Sequence, residues 1–470
     1  MESFTIKTIG CKVNAYESNV IKEKLVSLGF NYIDVEEKYK YVDLDYYIVN
    51  TCSVTSIADK KSRQMLHLAK KYNKNVKVIA IGCLVNSLRV ENSKVNSAYD
   101  IFLDGVDYLI PNEEKDKIVE LIISLSKEKG TKNIENEKEK NKADIKESTK
   151  DVLAKPYSHA RIRSFIKIQD GCDEYCTYCL IPYLRGHIRS RSKAEILDEI
   201  KKCIENGVKE IVLTGIHLSS YGLDKENLSY EREGAISIAR NKLLSLMEKI
   251  AKLCVDVNGE KKEIERIRLG SLEPRIIDET FLKTLAPTII ENEMAVRFDK
   301  ELSSKFCASF CLSLQSGSDK TLKRMNRHYT TKDFENACNL IRKYIPYATI
   351  TADVIVGFPG ETDADYEESL SFIKKMRFYN PNIFPYARRK GTKADEFSGQ
   401  LSNSIKHERS IRMIKECEKI SNEVENEVLS MKEKLFKKDA NKILVEEIVE
   451  KDNIKYKVGY TKEYIKRMEK

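Results

Sequence analysis

The sequence contains no apolar run approaching the roughly 18 residues that a membrane-spanning helix needs, and its opening, MESFTIKTIGCKVN, has no long apolar stretch behind a basic start. Membrane-embedded and secreted classes are therefore excluded at this level, and a cytoplasmic protein is expected. Tryptophan is absent. Strong charge bias is absent too: 82 basic against 73 acidic side chains leave +9, an excess that suits a polyanionic partner without identifying one. With 33% of residues charged, a single basic run reads first as a solvated face. What the chain does have is length and thiols. Its 470 residues exceed one hydrophobic core, so several folding units are expected. Its twelve cysteines, without a secretory leader, belong to a reducing compartment, where thiols serve as metal ligands or small buried hydrophobes.

Hydrophobic periodicity divides the chain. Residues 1–130 alternate strand-like runs (FTIKTIG, DYYIVN, VKVIAIG) with helix-like ones, which suits a parallel sheet flanked by helices. The segment 131–157 is nearly free of large apolar residues from Thr131 to Asp151 and reads as a charged linker. Residues 158–400 hold a second β/α series of about six strands, which predicts a partly closed, TIM-like β/α barrel. Residues 401–436 read as one long helix without Gly or Pro, and 437–470 as a small β unit with a turn at Gly459–Tyr460. Polar, irregular insertions are expected at 223–241, 255–265 and 290–304.

The sharpest motif is FIKIQDGCDEYCTYC, in which Cys172, Cys176 and Cys179 form C-x3-C-x2-C directly after a strand. Three thiolates on one short loop can hold three corners of an iron-sulfur cube and leave the fourth iron open. An open iron can chelate S-adenosylmethionine (SAM) and cleave its sulfonium with one electron. A three-cysteine zinc loop, with His187 as the nearby fourth ligand, is the competing reading, as is a simple electron-transfer cluster. A second set, Cys11, Cys52 and Cys83, lies far apart in sequence, yet each follows a strand. Parallel strands end along one edge, so these three loops can converge on a second cluster. The other six cysteines show no such order.

Three dispersed cysteines after strands, then C-x3-C-x2-C in a barrel, then a small β domain together resemble the radical SAM methylthiotransferases over nearly the whole chain. GCKVNAYES, NTCSVTSIADKKSRQ and EIVLTGIHLSSYG resemble the branch that modifies N6-threonylcarbamoyladenosine in tRNA; a sister branch acts on isopentenyladenosine. The resemblance implies an α/β amino-terminal domain, a radical SAM barrel, a TRAM-like RNA-binding domain, two 4Fe-4S clusters and SAM. It places Tyr178 beside the SAM adenine, and Gly215, Ser271, Glu273, Gln315, Ser316, Arg327 and Gly357 near SAM or substrate. Asn86, Pro111 and FCASFC depart from the family's usual wording, and the final domain is expected to be a short barrel. Arg185, Arg189 and Arg191 in RGHIRSRSK, with Tyr460 and Tyr464, are expected to meet the phosphates and bases of a tRNA anticodon loop. An electron donor such as a flavodoxin or ferredoxin is the second expected partner. An iron-sulfur carrier or redox sensor that binds RNA without modifying it is the alternative from another class.

Overall fold

The computed structural model describes residues 1–35, 44–91, 103–130, 162–290, 295–437, 440–451 and 454–470. The linker expected at 131–157 lies outside them, as does part of the insertion at 290–304. By internal contacts the chain divides into two units, Met1–Ser158 with Leu180–Gly186, and His159–Cys179 with His187–Lys470.

The first unit is built on five parallel strands, β1 (Ser3–Thr8), β2 (Asn31–Tyr32), β3 (Tyr46–Thr51), β4 (Lys77–Gly82) and β5 (Tyr108–Ile110), ordered β2-β1-β3-β4-β5. Every residue of β3 is buried, as a central strand covered on both faces requires. Alternation sorts its side chains. Tyr47 and Val49 join Val78, Ala80, Leu66 and Ala69 on one face, while Tyr46 and Ile48 join Phe4, Ile6, Ile79 and Ile81 on the other. The covering helices are α1 (Lys12–Ser27), α2 (Ser56–Tyr72), α3 (Cys83–Glu91) and α4 (Ile118–Gly130). Thr55 caps α2 by accepting from the Ala58 amide. The short helix α5 (Ile181–Arg185) also belongs here, its Leu180 and Leu184 packed on Cys83.

The second unit contains two three-stranded parallel sheets among the described residues. The strands are β6 (Arg163–Lys167), β7 (Glu210–Thr214), β8 (Arg266–Leu269), β9 (Ser309–Gln315), β10 (Thr349–Val356) and β11 (Asn382–Pro385). Parallel bridges Ile267–Phe306 and Leu272–Leu312 join β8 to β9, giving the order β6-β7-β8-β9-β10-β11 of a partial barrel. A 34-residue helix, α6 (Asn403–Phe436), follows, with Met413, Cys417, Ser421, Val424 and Val428 on its inner stripe at helical spacing. The chain then makes an antiparallel sheet of β12 (Leu444–Lys451), β13 (Ile454–Tyr460) and β14 (Lys466–Glu469). Gly459 and Tyr460, expected in a turn, lie instead within β13, paired with Val445 and Leu444, and 459 must be glycine because a side chain there would collide with the Leu444 carbonyl. The insertion at 255–265 includes a hairpin of Cys254–Val257 with Glu260–Glu263.

Buried arginines at the amino ends of the barrel strands hold this last sheet. Glu210, fully buried, accepts from Arg163 and Arg268. Arg266 donates to the carbonyls of Tyr460 and Lys442, and Arg268 to those of Lys462 and Thr461. Lys432 on α6 pairs with buried Glu463.

Candidate iron-sulfur centres

In the first unit β1, β3 and β4 are adjacent, and the chain leaves their carboxyl ends through Cys11, Cys52 and Cys83. Asn14 stitches two of these loops together, its Nδ2 donating to the carbonyls of Ile9 and Thr51, both at 2.9 Å. Thr51 donates to the Ile81 carbonyl and accepts from the Leu84 amide, which ties in the third. Gly10 is required by the approach: its φ is +106°, and a Cβ there would lie 2.5 Å from Cys52 Sγ. Cys52 and Cys83 are buried and Cys11 is exposed. Burial pushes the Cys52 thiol up to about 12, the Cys83 and Cys11 charges adding to it while Arg185 opposes it. Such thiols ionise readily only when a cation shares the site.

In the second unit Cys172, Cys176 and Cys179 occupy the loop at the carboxyl end of β6, the end where β/α barrels carry their chemistry. The loop is pinned at many points. Gln169 donates to the carbonyls of Asp170 and Gly171 and accepts from the His217 amide. Thr177 bonds the Arg324 and Met325 carbonyls, Asn326 donates to the Glu174 carbonyl, and the Ala394 amide donates to the Thr177 carbonyl. Arg327 Nη1 lies 2.9 Å from Cys176 Sγ. Burial raises the Cys172 thiol well above its ordinary range, with Cys179 and Cys176 contributing.

Among the described residues neither cysteine triad has its three sulfurs drawn together as a single zinc ion would draw them. Zinc at about 2.3 Å from each ligand draws its sulfurs to roughly 3.8 Å apart. Among the described residues the only group of three candidate ligands with atoms mutually within 4.8 Å is Glu174, Glu231 and His328, which includes no cysteine. That group is an ion-pair cluster: Arg275 binds Glu231 through both terminal nitrogens at 3.2 and 2.9 Å and lies 3.9 Å from Glu174.

Residues 166–373 match the radical SAM superfamily, and residues 3–104 match the uncharacterised protein family UPF0004. The chain is 31% identical to a Bacillus subtilis protein named threonylcarbamoyladenosine tRNA methylthiotransferase MtaB, over 99% of this chain and 90% of that one. It is 34% identical to the Thermotoga maritima protein of the same name, covering 87% and 80%. It is 30% identical to a Clostridium botulinum tRNA-2-methylthio-N(6)-dimethylallyladenosine synthase, covering 94% and 86%. The chain belongs to the radical SAM methylthiotransferase family. Its fold also resembles that of the radical SAM methyltransferase TsrM from Kitasatospora setae, with TM-score 0.51, 15% identity, and coverage of 82% and 73%. SAM and two 4Fe-4S clusters are the cofactors of this methylthiotransferase.

Around the second triad, the residues expected near SAM or substrate follow the carboxyl ends of consecutive parallel strands: Gly215 after β7, Ser271 and Glu273 after β8, Gln315 and Ser316 at β9, Gly357 after β10. Tyr178 packs edge-on against Phe358. Several of these side chains have protein partners. Gly215 leaves room for Gln169, whose Oε1 a Cβ would approach to 2.7 Å. Buried Glu273 accepts from Tyr230 OH and from Arg275. Gln315 holds a left-handed φ of +67° at a bulge in β9.

Of the residues expected on RNA, Arg189 is exposed, but Arg185 is an interior group whose side chain is 1% exposed and bound to Glu17 and Asn14, which corrects its reading as a phosphate contact. Arg191 is committed to Glu199 and the Lys167 carbonyl. Tyr460 and Tyr464 stack on each other at 4.6 Å with Arg163 over both rings, so their mutual faces brace the last sheet, while Tyr464 keeps an exposed edge.

Sequence reading missed Tyr230 and Glu231, which the insertion at 223–241 delivers to Glu273, Arg275 and His328. It also missed His217 as a buried ring. His217 packs edge-on against Tyr230 at 4.7 Å, and burial pulls its imidazole down to about 3, with repulsion from Arg327 and Arg275 adding to the shift. The unfolded chain therefore takes up the proton first, near 6.5, and stability is lost as pH falls from there toward 3. Between pH 7.5 and 5, wild type is expected to lose about 2 kcal/mol more stability than His217→Gln, from 1.36 kcal/mol per pH unit below 6.5. Urea unfolding at the two pH values measures this, and equal losses in both proteins would contradict it. Glu174 has the opposite tendency: burial, then the Glu231 charge, pushes its carboxyl up to about 7.

Proposed function

We propose that this chain transfers a methylthio group to C2 of N6-threonylcarbamoyladenosine at position 37 of a tRNA anticodon loop. The observation that carries the reading is the pair of cysteine triads, each at the carboxyl edge of a parallel sheet, in a chain 31–34% identical to relatives named for that reaction. Cys172, Cys176 and Cys179 would hold the cluster that binds SAM, leaving one iron open, and Cys11, Cys52 and Cys83 the auxiliary cluster. When bound, SAM at a reduced cluster supplies a hydrogen abstractor strong enough for a ring carbon that no side-chain acid or base can activate. The chain's own residues prepare this site. Gln169, Thr177 and Asn326 hold the cysteine loop in shape, Arg327 donates to Cys176, and the Phe358 cluster seats Tyr178 for a purine.

A cytoplasmic tRNA is the partner in this reading, with Arg189, the exposed edge of Tyr464 and the lysines of β13 and β14 available to its backbone, and a flavodoxin or ferredoxin as electron source. The sister reading, an isopentenyladenosine substrate, is favoured by relatives at 30% identity named for that nucleoside type. Nucleoside mass spectrometry of tRNA from a deletion strain separates the two. Loss of 2-methylthio-N6-threonylcarbamoyladenosine with accumulation of its unthiolated precursor is expected; loss of the 2-methylthio isopentenyl nucleoside instead would move the chain to the sister branch.

A further inference from the structure

Arg185 follows the C-x3-C-x2-C loop by only six residues, yet it belongs to the unit that carries the other triad. There both terminal nitrogens of its guanidinium are engaged. Nη2 donates to Asn14 Oδ1 at 2.7 Å and to Glu17 at 3.3 Å, and Nη1 donates to the second Glu17 oxygen at 3.1 Å. Asn14 and Glu17 sit three apart on α1, and so on one helix face, directly after Cys11. Asn14 is the residue whose amide group spans the Cys11 and Cys52 loops. Glu17 is held from its other side by buried Lys115. The third loop is gripped by the same segment: Leu180 and Leu184 pack on Cys83, and Asn112 donates to the Leu184 carbonyl at 3.0 Å while reaching Cys83 Sγ at 3.8 Å. Every cysteine of the amino-terminal triad is thus one or two contacts from α5 or Arg185.

We propose that Arg185 is a positioning residue for the auxiliary centre: it locks Asn14 and Glu17 so that the Cys11, Cys52 and Cys83 loops stay registered. The proposal rests on the two-cluster reading above. Two separable contributions follow from the guanidinium. Its planar fork satisfies a carboxylate and an amide oxygen at once, which an ammonium on a flexible stem does not reproduce. Its fixed positive charge is uncompromised by burial, because arginine does not deprotonate in proteins.

The test uses the full chain, reconstituted anaerobically, in a Cys172→Ala, Cys176→Ala, Cys179→Ala background so that any iron reports the amino-terminal triad alone. With Arg185 intact, this protein is expected to hold one cluster; if it holds no iron, the two-cluster reading fails, independently of Arg185. Adding Arg185→Ala is expected to lower bound iron several-fold and to move the reduction potential of the remaining cluster to more negative values, since a nearby cation is gone. Adding Arg185→Lys keeps the charge and the pairing with Glu17, so the potential is expected to stay near that of the Arg185 protein while loading remains below half. Iron and sulfide analysis with electron paramagnetic resonance during potentiometric titration reads both quantities. Unchanged iron and unchanged potential in Arg185→Ala would overturn the proposal. Where that variant does not fold, Arg185→Lys decides: full loading at an unaltered spectrum overturns the fork, and reduced loading supports it.

Discussion

Reconstituted Cys172→Ala is expected to bind about half the iron of the wild type and to release 5′-deoxyadenosine from SAM more than about 100-fold more slowly. The scale follows from metal sites in general, where changing a residue that merely orients a ligand already costs 10–100-fold; removing the ligand itself costs more. The effect should be confined to the centre. The loop does not depend on Cys172 for its shape, being pinned by Gln169, Thr177 and Asn326 and by the Ala394 amide. Circular dichroism should therefore match the wild type, and iron analysis beside chromatography of the SAM products checks both halves of the expectation. Cleavage at the wild-type rate would remove Cys172 from the ligand set.

Cys11→Ala should separate the two activities. Its triad falls in the other unit, and Cys11 itself is exposed, so its loss creates no cavity beneath the sheet. Methylthio transfer is expected to fall below detection, again by more than about 100-fold, while SAM cleavage persists without a thiolated product. Mass spectrometry of the tRNA nucleosides alongside deoxyadenosine release gives the comparison. Equal loss of both activities would mean that the centres are not independent, and retention of both would remove Cys11 from the auxiliary site. Cys52→Ala is expected to do the same with an added stability loss, because that side chain is buried against Gly10 and Val54.

Cys172, Cys176 and Cys179 could be grouped by spacing on one loop, and Cys11, Cys52 and Cys83 by strand logic: a parallel sheet aligns its carboxyl ends, so a cysteine directly after each strand has one destination. The six-stranded barrel was legible from short apolar runs or alternation in its strands, as in EIVLT of β7 and SFCLSLQ of β9. Arginine burial was not. Arg185, Arg189 and Arg191 fall in one basic run, but only the fold reveals that the first meets Glu17 and Asn14, more than 160 positions earlier. Tyr230 and Glu231 were hidden for another reason: a polar insertion carries no periodicity, and their partners Glu273 and Arg275 lie over 40 residues away. A weak cue did exist, because an aromatic next to an acid inside an otherwise featureless insertion invites a partner. The stacking of Tyr460 on Tyr464 could not be read either, since it takes the strand and the turn after it to face their rings toward each other and Arg163.

The last sheet has a debt to the barrel that an appended module would not have. Arg266 and Arg268 end on main-chain oxygens between residues 442 and 462, and Arg268 and Glu210 are all but sealed from water. Cutting the chain after α6 would remove those main-chain acceptors and leave Arg268 with Glu210 alone, a loss on the order of several kcal/mol. Shortened forms that end near residue 437 should therefore emerge insoluble instead of as a trimmed, working catalyst.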